Sequence, residues 1–335
     1  MDGELVSARA MNCSLDIIIV NWNAGDHLRD CLASIARTRT GPELRRVTVV
    51  DNASSDGSLY GLEDLSVPLE IIRNDKNVGF AAACNQGAAT STADYLLFLN
   101  PDTRLFPNTL ETVAHFMESE RAAGIGICGV QVVDSAGRPG ISCAPFPTLR
   151  AFFGRMTGLH IVLPRLFPSY HHTPAELSQS RLVDQVIGAF YFVRRDLFTR
   201  LGGFDERYFL YFEEVDFALR ASRQGARSYF LKEAMVLHVG NTSSDQVRAA
   251  RLYQSLRSRL SFSYRHWPRW QAKALVVLTV TVELTARLTR AALRRSGTDI
   301  SETAVAYRRL LHDLVRSEPD LVDPGEPEPT GKPRG

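Results

Sequence analysis

The sequence contains little cysteine, and its cysteines do not form a pattern that binds metal. Five cysteines are spread over 335 residues, and none stands in a C-x-x-C pair. An odd number of widely spaced thiols argues against a disulfide framework and against a thiolate zinc site, so we expect reduced thiols. The N-terminus also lacks the charged, apolar and small-residue regions of a secretory signal. Together these absences favour a cytoplasmic protein.

A large surplus of charge is missing as well. The composition is 44% hydrophobic and 23% charged, which is ordinary for a globular protein. The formal net charge of only +2 excludes a nucleic-acid-binding polycation, so no nucleic acid is expected as a partner. The charge is nevertheless uneven, because residues 246–295 carry a net +10 and the remaining residues sum to −8. A basic segment on an acidic body predicts an anionic surface as a partner.

Common cofactor and nucleophile signatures are absent or stand in the wrong context. The chain has no P-loop and no G-x-S-x-G elbow. The G-x-G-x-x-G match at 124–129 follows a charged helical stretch and precedes β-branched residues, the reverse of a dinucleotide fingerprint. The pair His171 and His172 stands alone in a loop-like region and is interpreted as two surface histidines.

Short apolar runs alternate with helical segments through the first hundred residues. We predict strands at 15–20, 47–50, 69–73 and 95–99, and helices at 27–39, capped by Asp26, and at 81–90. Strands that alternate with helices indicate an α/β fold with a parallel sheet and right-handed crossovers. Three of the strands end in polar, turn-forming residues. Because ligands bind at the carboxyl ends of strands in open α/β sheets, these loops should meet at one site.

The rest of the chain is less regular. Residues 134–182 are rich in Pro, Gly, His and Phe, and we interpret them as a long loop region around an acceptor cleft. A strand is predicted at 183–193, with helices at 195–201 and 213–224. The chain should therefore comprise a flexible leader at 1–14, an α/β domain at 15–245, a basic helical extension at 246–316 and a disordered tail at 317–335.

Two motifs at the first strands carry groups that can bind a nucleotide. V-N-W-N at 20–23 ends the first strand, and V-V-D-N-A-S-S-D-G-S at 49–58 ends the second. The acid in the second motif, Asp51, could accept a hydrogen bond from a base N–H or a ribose hydroxyl. Turn and cap chemistry alone is the alternative, because a Ser/Asp/Gly sequence forms turns without any ligand.

Two more motifs follow in the first hundred residues. N-V-G-F-A-A-A-C-N-Q-G at 77–87 opens a helix with small residues. They would let a flat nucleotide approach the backbone, and tight helix–sheet packing is the alternative. N-P-D at 100–102 follows the fourth strand. Asp102 could hold Mg²⁺ or Mn²⁺ against a diphosphate, and a helix cap or a plain turn is the alternative.

The last motifs add acids and one histidine. G-G-F-D-E at 202–206 precedes E-E-V-D at 213–216, which places three acids within four residues. Their mutual repulsion should raise at least one pKa towards the range of a general base, and a capped, solvated helix start is the alternative. His238 follows an apolar run. A lone histidine there is usually packed or hydrogen-bonded, and it gains a chemical role only as a metal ligand beside Asp102.

In this order the motifs resemble those of the family 2 glycosyltransferases with the GT-A fold, and most closely those of the rhamnosyltransferase-like members. The resemblance covers residues 16–242. It implies a Rossmann-like, mostly parallel central sheet flanked by helices, with residues 15–245 as the catalytic domain. The C-terminal helical extension would follow that domain.

The resemblance also implies roles for single residues. Glu214 matches the second acid of the family's E-D motif, the general base, and Glu213 is kept as a rival because that acid is usually Asp. Asp102 matches the last acid of the D-x-D metal motif, and His238 matches the histidine that completes the metal site. Asn100 replaces the first acid, which leaves fewer carboxylates for the metal. The residues expected to contact the donor are Asn21, Asn23, Asp51, Asn77, Gly79, Asn85, Asn100 and Asp102, with Asp51 on the nucleotide base.

The implied reaction is transfer of a sugar, with inversion, from a nucleoside-diphosphate donor. The subgroup favours rhamnose from dTDP-rhamnose, Mg²⁺ or Mn²⁺ as cofactor, and a glycan or polyprenyl-diphosphate-linked acceptor in cell-surface polysaccharide assembly. Two other classes stay open. A nucleotidyltransferase of the same sheet architecture would need a Gly-rich loop with Arg and Lys after Val20, and none is there. A sugar-nucleotide-binding scaffold would not need the intact acids and histidine.

The basic segment combines arginines, two tryptophans and an interrupted apolar run. The run from Ala274 to Val282 stops at Glu283, at about half of the roughly 20 residues that a spanning helix needs. Trp267 and Trp270 with flanking arginines predict a helix that lies in the interface of an anionic leaflet. The protein would then be peripheral on the inner face of the cell membrane. A core helix, a helix that forms a homodimer, and a true membrane span are the alternatives.

Overall fold

The computed structural model describes residues 11, 13–38, 40–173, 175–240 and 248–316. Most of the predicted leader and the whole predicted tail lie outside the described residues, although Ser14 already begins a strand. The chain forms two compact units. The α/β unit contains the described residues up to 146 together with 171–209 and 213–240, and the helical unit contains 147–170, 210–212 and 248–316.

The strands all belong to the α/β unit. They are β1 (Ser14–Asn21), β2 (Glu43–Asp51), β3 (Leu69–Arg73), β4 (Tyr95–Leu99), β5 (Thr103–Leu105), β6 (Ile125–Val133), β7 (Cys143–Ala144), β8 (Arg181–Val183), β9 (Gln185–Val186), β10 (Phe190–Arg194) and β11 (Arg227–His238). Nine of them form one sheet in the order β3-β2-β1-β4-β10-β6-β11-β5, with β8 also paired to β11. β7 and β9 form a separate two-stranded sheet.

The helices divide between the units. They are α1 (Asp26–Ala36), α2 (Phe80–Ala88), α3 (Thr109–Glu118), α4 (Leu149–Thr157), α5 (Leu159–Val162), α6 (Arg195–Arg200), α7 (Glu213–Arg223), α8 (Arg248–His266), α9 (Arg269–Leu278), α10 (Leu284–Leu293) and α11 (Gly297–Arg316). The α/β unit contains α1, α2, α3, α6 and α7, and the helical unit contains the others. A π-helical turn, Thr279–Glu283, joins α9 to α10.

The large sheet is mostly parallel, as predicted. β3, β2, β1 and β4 run side by side in one direction, and β6 and β11 share that direction. The strands β5, β8 and β10 run the opposite way. The fold is therefore an α/β fold in which most strands direct their carboxyl ends towards the same edge of the sheet.

Side chains of β1 alternate between two buried layers. Ile17 and Ile19 pack in one apolar cluster with Leu28 and Leu32 of α1, while Ile18 packs in the cluster on the opposite face. A strand covered on both faces must be apolar at every position, which is why it appears in the sequence as a continuous run. The first helix is present and buries Leu28, Leu32 and Ile35 on one face, but its predicted cap is wrong. Gly25, with φ 55°, precedes the helix, so Asp26 is its first residue.

Two later predictions are also wrong. Residues 134–182 are not one long loop, because Thr148 caps α4 by accepting a hydrogen bond from the Ala151 amide and Gly158 ends it in the left-handed conformation. The strand predicted at 183–193 is broken into pieces. Its middle part turns aside to pair with β7, and the Asp184 carboxylate accepts a hydrogen bond from the Phe146 amide.

The glycine motif at 124–129 lies at the start of β6. A Cβ atom on Gly126 would lie 2.3 Å from the Leu197 side chain, and one on Gly129 would lie 2.5 Å from that of Val186. These glycines therefore permit close packing of β6 against α6 and β9, so packing explains them without a bound dinucleotide.

In the helical unit, Leu256 and Leu260 of α8 are buried. Arg259 on the same helix donates to Glu283, at 2.5 Å, inside the unit. The acid that interrupts the apolar run thus belongs to the interior. Within the described part of the chain, no helix has both the length and the apolar character that a bilayer crossing requires.

Candidate functional site

The first two motifs meet because β1 and β2 are parallel neighbours and Asn21 pairs with Asp51 in register. Asn21 is buried, and its amide donates to Asp51 Oδ1 at 2.7 Å and to Ser58 Oγ at 2.8 Å. The other carboxylate oxygen of Asp51 accepts from the Ser54 amide at 3.1 Å. The Asp51 carboxylate is therefore positioned by the protein before any ligand arrives.

The loops after these strands hold each other in place. Asn23, with φ 50°, accepts a hydrogen bond from the Ser55 amide at 2.8 Å through its side-chain oxygen. Gly25 donates to Asp56 at 2.6 Å. Burial alone would raise the pKa of Asp56, but hydrogen bonds from Ser58 and Gly25 outweigh burial and lower it. Turn chemistry thus accounts for this motif locally, and contacts of Asn23 and Asp51 with a donor stay predictions.

The third motif is explained in large part by packing. The Asn77 side chain accepts from the Gly79 amide at 2.9 Å. A Cβ atom on Gly79, whose φ is 92°, would lie 2.7 Å from the Phe209 carbonyl oxygen. Asn85 uses both ends of its amide on one loop, since it donates to the Phe204 carbonyl at 2.8 Å and accepts from the Phe204 amide at 2.9 Å. Asn85 thus positions the G-G-F-D-E loop, and its contact with a donor stays a prediction.

The structure brings Asp102 and His238 together. β5 pairs with the end of β11 so that Thr103 lies opposite His238. His238 Nε2 lies 3.2 Å from Asp102 Oδ1. Burial alone would raise the pKa of Asp102, but the hydrogen bond and the positive charge of His238 outweigh it and lower that pKa. The expected pairing of these two residues is therefore observed.

The Asp102–His238 pair fits a divalent cation held jointly with a ligand. One carboxylate oxygen and one imidazole nitrogen can share a cation whose other positions are filled by water and phosphate oxygens. Within the described ranges, no cluster of three or more His, Cys, Asp and Glu side chains could hold a metal ion by itself. The site therefore suits a cation that arrives with a diphosphate better than a metal bound by protein groups alone.

The sequence analysis missed His27, which lies in the first turn of α1. Its positive charge also lowers the pKa of Asp102, which places it near the Asp102–His238 pair. No motif contains His27, so only the fold reveals this neighbour. Asn100 is held at the same edge of the sheet, because its backbone N–H donates to the Ala189 carbonyl at 3.1 Å.

The two glutamates at the start of α7 differ in environment. Glu213 is 4% exposed, and its Oε2 has no hydrogen-bond partner among the residues that the structure describes. Burial raises the pKa of Glu213 well above its usual value, and the neighbouring Glu214 carboxylate raises it further. Glu214 is partly exposed, and its Oε1 faces Gly188. The pKa of one acid is therefore raised, as predicted, but burial contributes more to the rise than the mutual repulsion on which the prediction rested.

Two of the other three acids of these motifs, Asp205 and Asp216, form ion pairs, and Glu206 accepts a hydrogen bond from the Asn85 side chain at 3.0 Å. Asp216 is fully buried and pairs with Arg220 at 2.6 Å. Arg220 also donates to the carbonyls of Leu201 and Gly203, so this pair fixes the loop that precedes α7. Asp205 pairs with Arg207 at 2.6 Å. These acids stabilise the loop, which leaves the two glutamates as the candidates for acid–base chemistry.

A cavity of about 430 Å³ opens at the amino end of β6. Gly124, Gly126 and Arg194 are among the residues that line it, and none of the predicted site residues does. Ligands of open α/β sheets bind at the opposite, carboxyl edge, where Asp51, Asp102 and Glu214 follow their strands or open their helix. We therefore assign the chemistry to the carboxyl edge.

The mostly parallel sheet flanked by helices is a fold of the GT-A type. The model of glycosyl transferase family 2 matches residues 16–160, and that of glycosyl transferase family group 2 matches residues 95–315. Because the second match spans about two thirds of the sequence, the chain belongs to the family 2 glycosyltransferases. Within that family it is rhamnosyltransferase-like.

Two relatives in sequence and one solved structure are similar to this chain. N-acetylglucosaminyl-diphospho-decaprenol L-rhamnosyltransferase of Mycobacterium tuberculosis is 28% identical over 301 residues, which cover 84% of this chain and 95% of that protein. Rhamnosyltransferase WbbL of Escherichia coli K12 is 28% identical over 66% of this chain and 82% of its own length. Mannosyltransferase PcManGT of Pyrobaculum calidifontis, solved with GDP-Man and Mn²⁺, superposes with a TM-score of 0.52 at 16% identity, covering 91% of this chain and 88% of its own. This last likeness concerns the fold alone.

Proposed function

We propose that the protein transfers rhamnose from dTDP-rhamnose, with inversion, to a hydroxyl of a polyprenyl-diphosphate-linked sugar during cell-surface glycan assembly. The observation that carries the proposal is the set of groups at the carboxyl edge of the sheet: the Asp102–His238 pair and the partly exposed Glu214 beside the buried Glu213. The printed names of the two rhamnosyltransferases support the sugar, and the Mycobacterium tuberculosis name supports a diphosphate-linked lipid acceptor.

Asp102 and His238 would hold Mg²⁺ or Mn²⁺, with Asn100 close by on the same loop. When bound, the cation would neutralise the charge that develops on the departing diphosphate. A cation on this pair would need the Asp102 carboxylate ionised and the His238 imidazole neutral, with the metal in place of the contact that now joins them. Asp51 and Asn21, already ordered by their mutual hydrogen bond, would receive the nucleotide base. Asn23, Asn77, Gly79 and Asn85 shape the loops on the donor side.

Glu214 is the better candidate for the general base. A base must be ionised at the working pH, and it must reach the acceptor hydroxyl. Burial and the neighbouring charge favour the protonated form of Glu213, which is 4% exposed. Glu214 is partly exposed beside Gly188, where the missing side chain leaves room for an acceptor. The buried Glu213 carboxyl would then influence the Glu214 carboxylate beside it and would not contact the substrate.

The reaction is a single displacement. Glu214 takes the proton of the acceptor hydroxyl, and the oxygen forms a bond to the anomeric carbon while the bond to the diphosphate breaks. The anomeric configuration inverts because the nucleophile attacks opposite the leaving group. No covalent intermediate with the protein is needed, and the buried cysteines of the α/β unit take no part.

The helical unit would bring the protein to its acceptor at the inner face of the cell membrane. Trp270 is 66% exposed and Val277 is 58% exposed on α9, whose first residues include Arg269 and Lys273. The same unit exposes Ile161 and Val162. Exposed aromatic and apolar groups beside cations are typical of proteins that bind an anionic membrane interface. A second copy of the chain, which would make a homodimer, is the alternative occupant of this surface.

The test is a donor screen with purified full-length protein, Mn²⁺ and a short-chain polyprenyl-diphosphate-linked N-acetylglucosamine. We expect dTDP-rhamnose to give a glycosylated lipid whose rhamnose has the configuration opposite to that in the donor, as measured by NMR. Without acceptor, slow release of dTDP would still mark a transferase. Release of pyrophosphate from a nucleoside triphosphate would instead indicate a nucleotidyltransferase, and donor binding without any turnover would indicate a scaffold.

A further inference from the structure

Gly188 lies in the short loop between β9 and β10, and neither its backbone nor its packing requires a glycine there. Its φ is outside the left-handed region that favours glycine. It also differs from Gly126 and Gly129, where an added Cβ atom would lie 2.3 and 2.5 Å from another side chain. The absence of a side chain at residue 188 therefore has no explanation in the local fold.

The space beside Gly188 is bordered by the Glu214 carboxylate. Among the described residues other than its chain neighbours, only that carboxylate would lie within 4 Å of a Cβ atom on Gly188, with Oε1 at 3.9 Å and Cδ at 4.0 Å. These are ordinary van der Waals distances, so the fold would accept an alanine here. A hydroxyl that donates to Oε1 must approach it to about 2.8 Å, and a methyl group on residue 188 would take part of the space for that approach.

The loop that contains Gly188 is held on both sides. The Ala189 carbonyl accepts a hydrogen bond from the Asn100 backbone N–H at 3.1 Å, which joins the loop to the N-P-D turn. On the other side, the Ile187 backbone N–H donates to the Ser142 carbonyl at 3.1 Å. All of these residues belong to the α/β unit. Gly188 is thus fixed next to the turn of the proposed cation site while it faces the proposed general base.

We propose that Gly188 is a specificity-determining residue of the acceptor site, because the space that it leaves beside the Glu214 carboxylate admits a hydroxyl carried on a sugar ring. This inference rests on the proposed function of Glu214 as general base. A sugar hydroxyl is attached to a ring carbon with further substituents, and these need room that water, the smallest acceptor, does not need. The cost of narrowing the space therefore grows with the size of the acceptor.

The experiment enlarges residue 188 in steps and compares two acceptors, the polyprenyl-diphosphate-linked N-acetylglucosamine and water. In Gly188→Ala we expect kcat/KM for the lipid-linked sugar to fall roughly 10-fold, and further in Gly188→Val, because each added carbon takes acceptor space. Release of dTDP into water should fall much less, so the ratio of transfer to hydrolysis drops. Gly297→Ala is the control, since a Cβ atom there meets nothing within 4 Å and the backbone is again not left-handed. Its ratio should stay that of wild type.

Acceptor binding gives a second measurement that does not depend on turnover. With dTDP and Mn²⁺ present, isothermal titration calorimetry should show weaker binding of the lipid-linked sugar to Gly188→Val than to wild type, and the same affinity for dTDP. If the valine variant fails to fold, Gly188→Ala serves in its place.

Two results would overturn the proposal: equal ratios of transfer to hydrolysis in wild type and Gly188→Ala, or no binding of the lipid-linked sugar by wild type. If wild type binds this acceptor with an affinity that depends on residue 188 but transfers no sugar, the function of Glu214 as general base fails, and the acceptor site beside Gly188 stands.

Discussion

Each unit of the protein buries a glutamate, and the two have opposite surroundings. Glu283 in the helical unit lies between Arg259 and Arg287, with oxygen–nitrogen distances of 2.5 and 2.8 Å. Glu213 in the α/β unit has Glu214 as its neighbour, and no cation is among the groups that shift its pKa. Burial raises the pKa of both, but at Glu283 the two arginines outweigh burial and lower it.

These different surroundings indicate a structural role for Glu283 and a chemical role for the Glu213–Glu214 pair. A buried acid between two cations is satisfied, and its removal leaves unpaired charge inside the protein. A buried acid beside another acid is costly to the fold, and such perturbed groups concentrate at functional sites. We therefore expect substitutions at the Glu213–Glu214 pair to affect turnover, and substitution of Glu283 to affect folding.

The largest effect should come from Asp102→Ala. We expect turnover to fall below detection and metal-dependent donor binding to be lost, because this carboxylate is the only acid of the N-P-D motif. The circular dichroism spectrum should stay that of wild type. Asp196→Ala, which removes an exposed acid of α6, is the control and should keep full activity. Near-normal turnover in pure Asp102→Ala protein would remove this residue from the metal role.

Glu283→Ala should instead reduce stability. Breaking a buried ion pair by removing one partner typically costs about 3–5 kcal/mol, because the remaining charges are left buried and unpaired. Arg259 is 9% exposed and would lose its carboxylate. Urea unfolding followed by tryptophan fluorescence measures the loss, since Trp267 and Trp270 lie in this unit. Glu302→Ala, a partly exposed acid of α11, should change little, and an equal loss in both variants would contradict the comparison.

Glu214→Gln and Glu213→Gln test the two neighbours directly. The first should bind donor normally but lose roughly 10²-fold or more in kcat, the size of a lost general base. The second should be milder, since a buried acid that favours its protonated form resembles an amide. Single-turnover kinetics with saturating donor gives both values. A larger loss for Glu213→Gln would transfer the role of base to Glu213.

Several parts of this arrangement could be predicted from the sequence alone. β3 and β4 have the predicted bounds. β4 was predictable because a strand buried on both faces is a continuous apolar run between turn residues. β3 is only partly buried at the end of the sheet, and its isoleucines indicated a strand. The proximity of Asp102 and His238 was an expectation from the family resemblance, and the structure brings the two side chains together. The site residues themselves stay predictions until variants are measured.

Other features depend on tertiary contacts that no local pattern contains. His27 lies near enough to Asp102 to lower its pKa because α1 packs against the start of β5, where Cys31 contacts Thr103. Asn85 is engaged by a loop 119 residues further along the chain. The helix α4 did carry local signals, since Thr148 and Gly158 are a cap and a stop, but the surrounding prolines and glycines obscured them. The opposite pKa shifts of Glu213 and Glu283 likewise follow from burial and partners, which composition does not reveal.

The basic residues at the surface of the helical unit allow a test of membrane attachment. Neutralising Arg269 and Lys273 with glutamine should weaken binding to vesicles of phosphatidylglycerol and phosphatidylethanolamine by roughly 30-fold, since each cation contributes about 1 kcal/mol. Flotation of full-length protein measures this, and Arg37→Gln with Arg121→Gln is the control in the α/β unit. If wild type never floats, the surface is better assigned to a second copy of the chain.

The smallest effect should be a pH dependence of opposite sign in the two buried glutamates. An unfolded glutamate ionises near 4.5, and Glu213 in the folded protein ionises only at higher pH. Its contribution to stability is present below 4.5 and is lost as the pH rises through its raised pKa. Glu213→Gln stays neutral, so its Tm should rise relative to wild type as the pH increases from 5 to 8.

Glu283 has a lowered pKa, so its contribution to stability is present above pH 4.5 and is lost on acidification. The deficit of Glu283→Gln in Tm should therefore be full at pH 7 and shrink below pH 4.5. Calorimetry of both variants and wild type across this pH range measures the Tm values. If the Tm of each variant changes with pH as that of wild type does, the two glutamates do not differ in environment as the structure indicates.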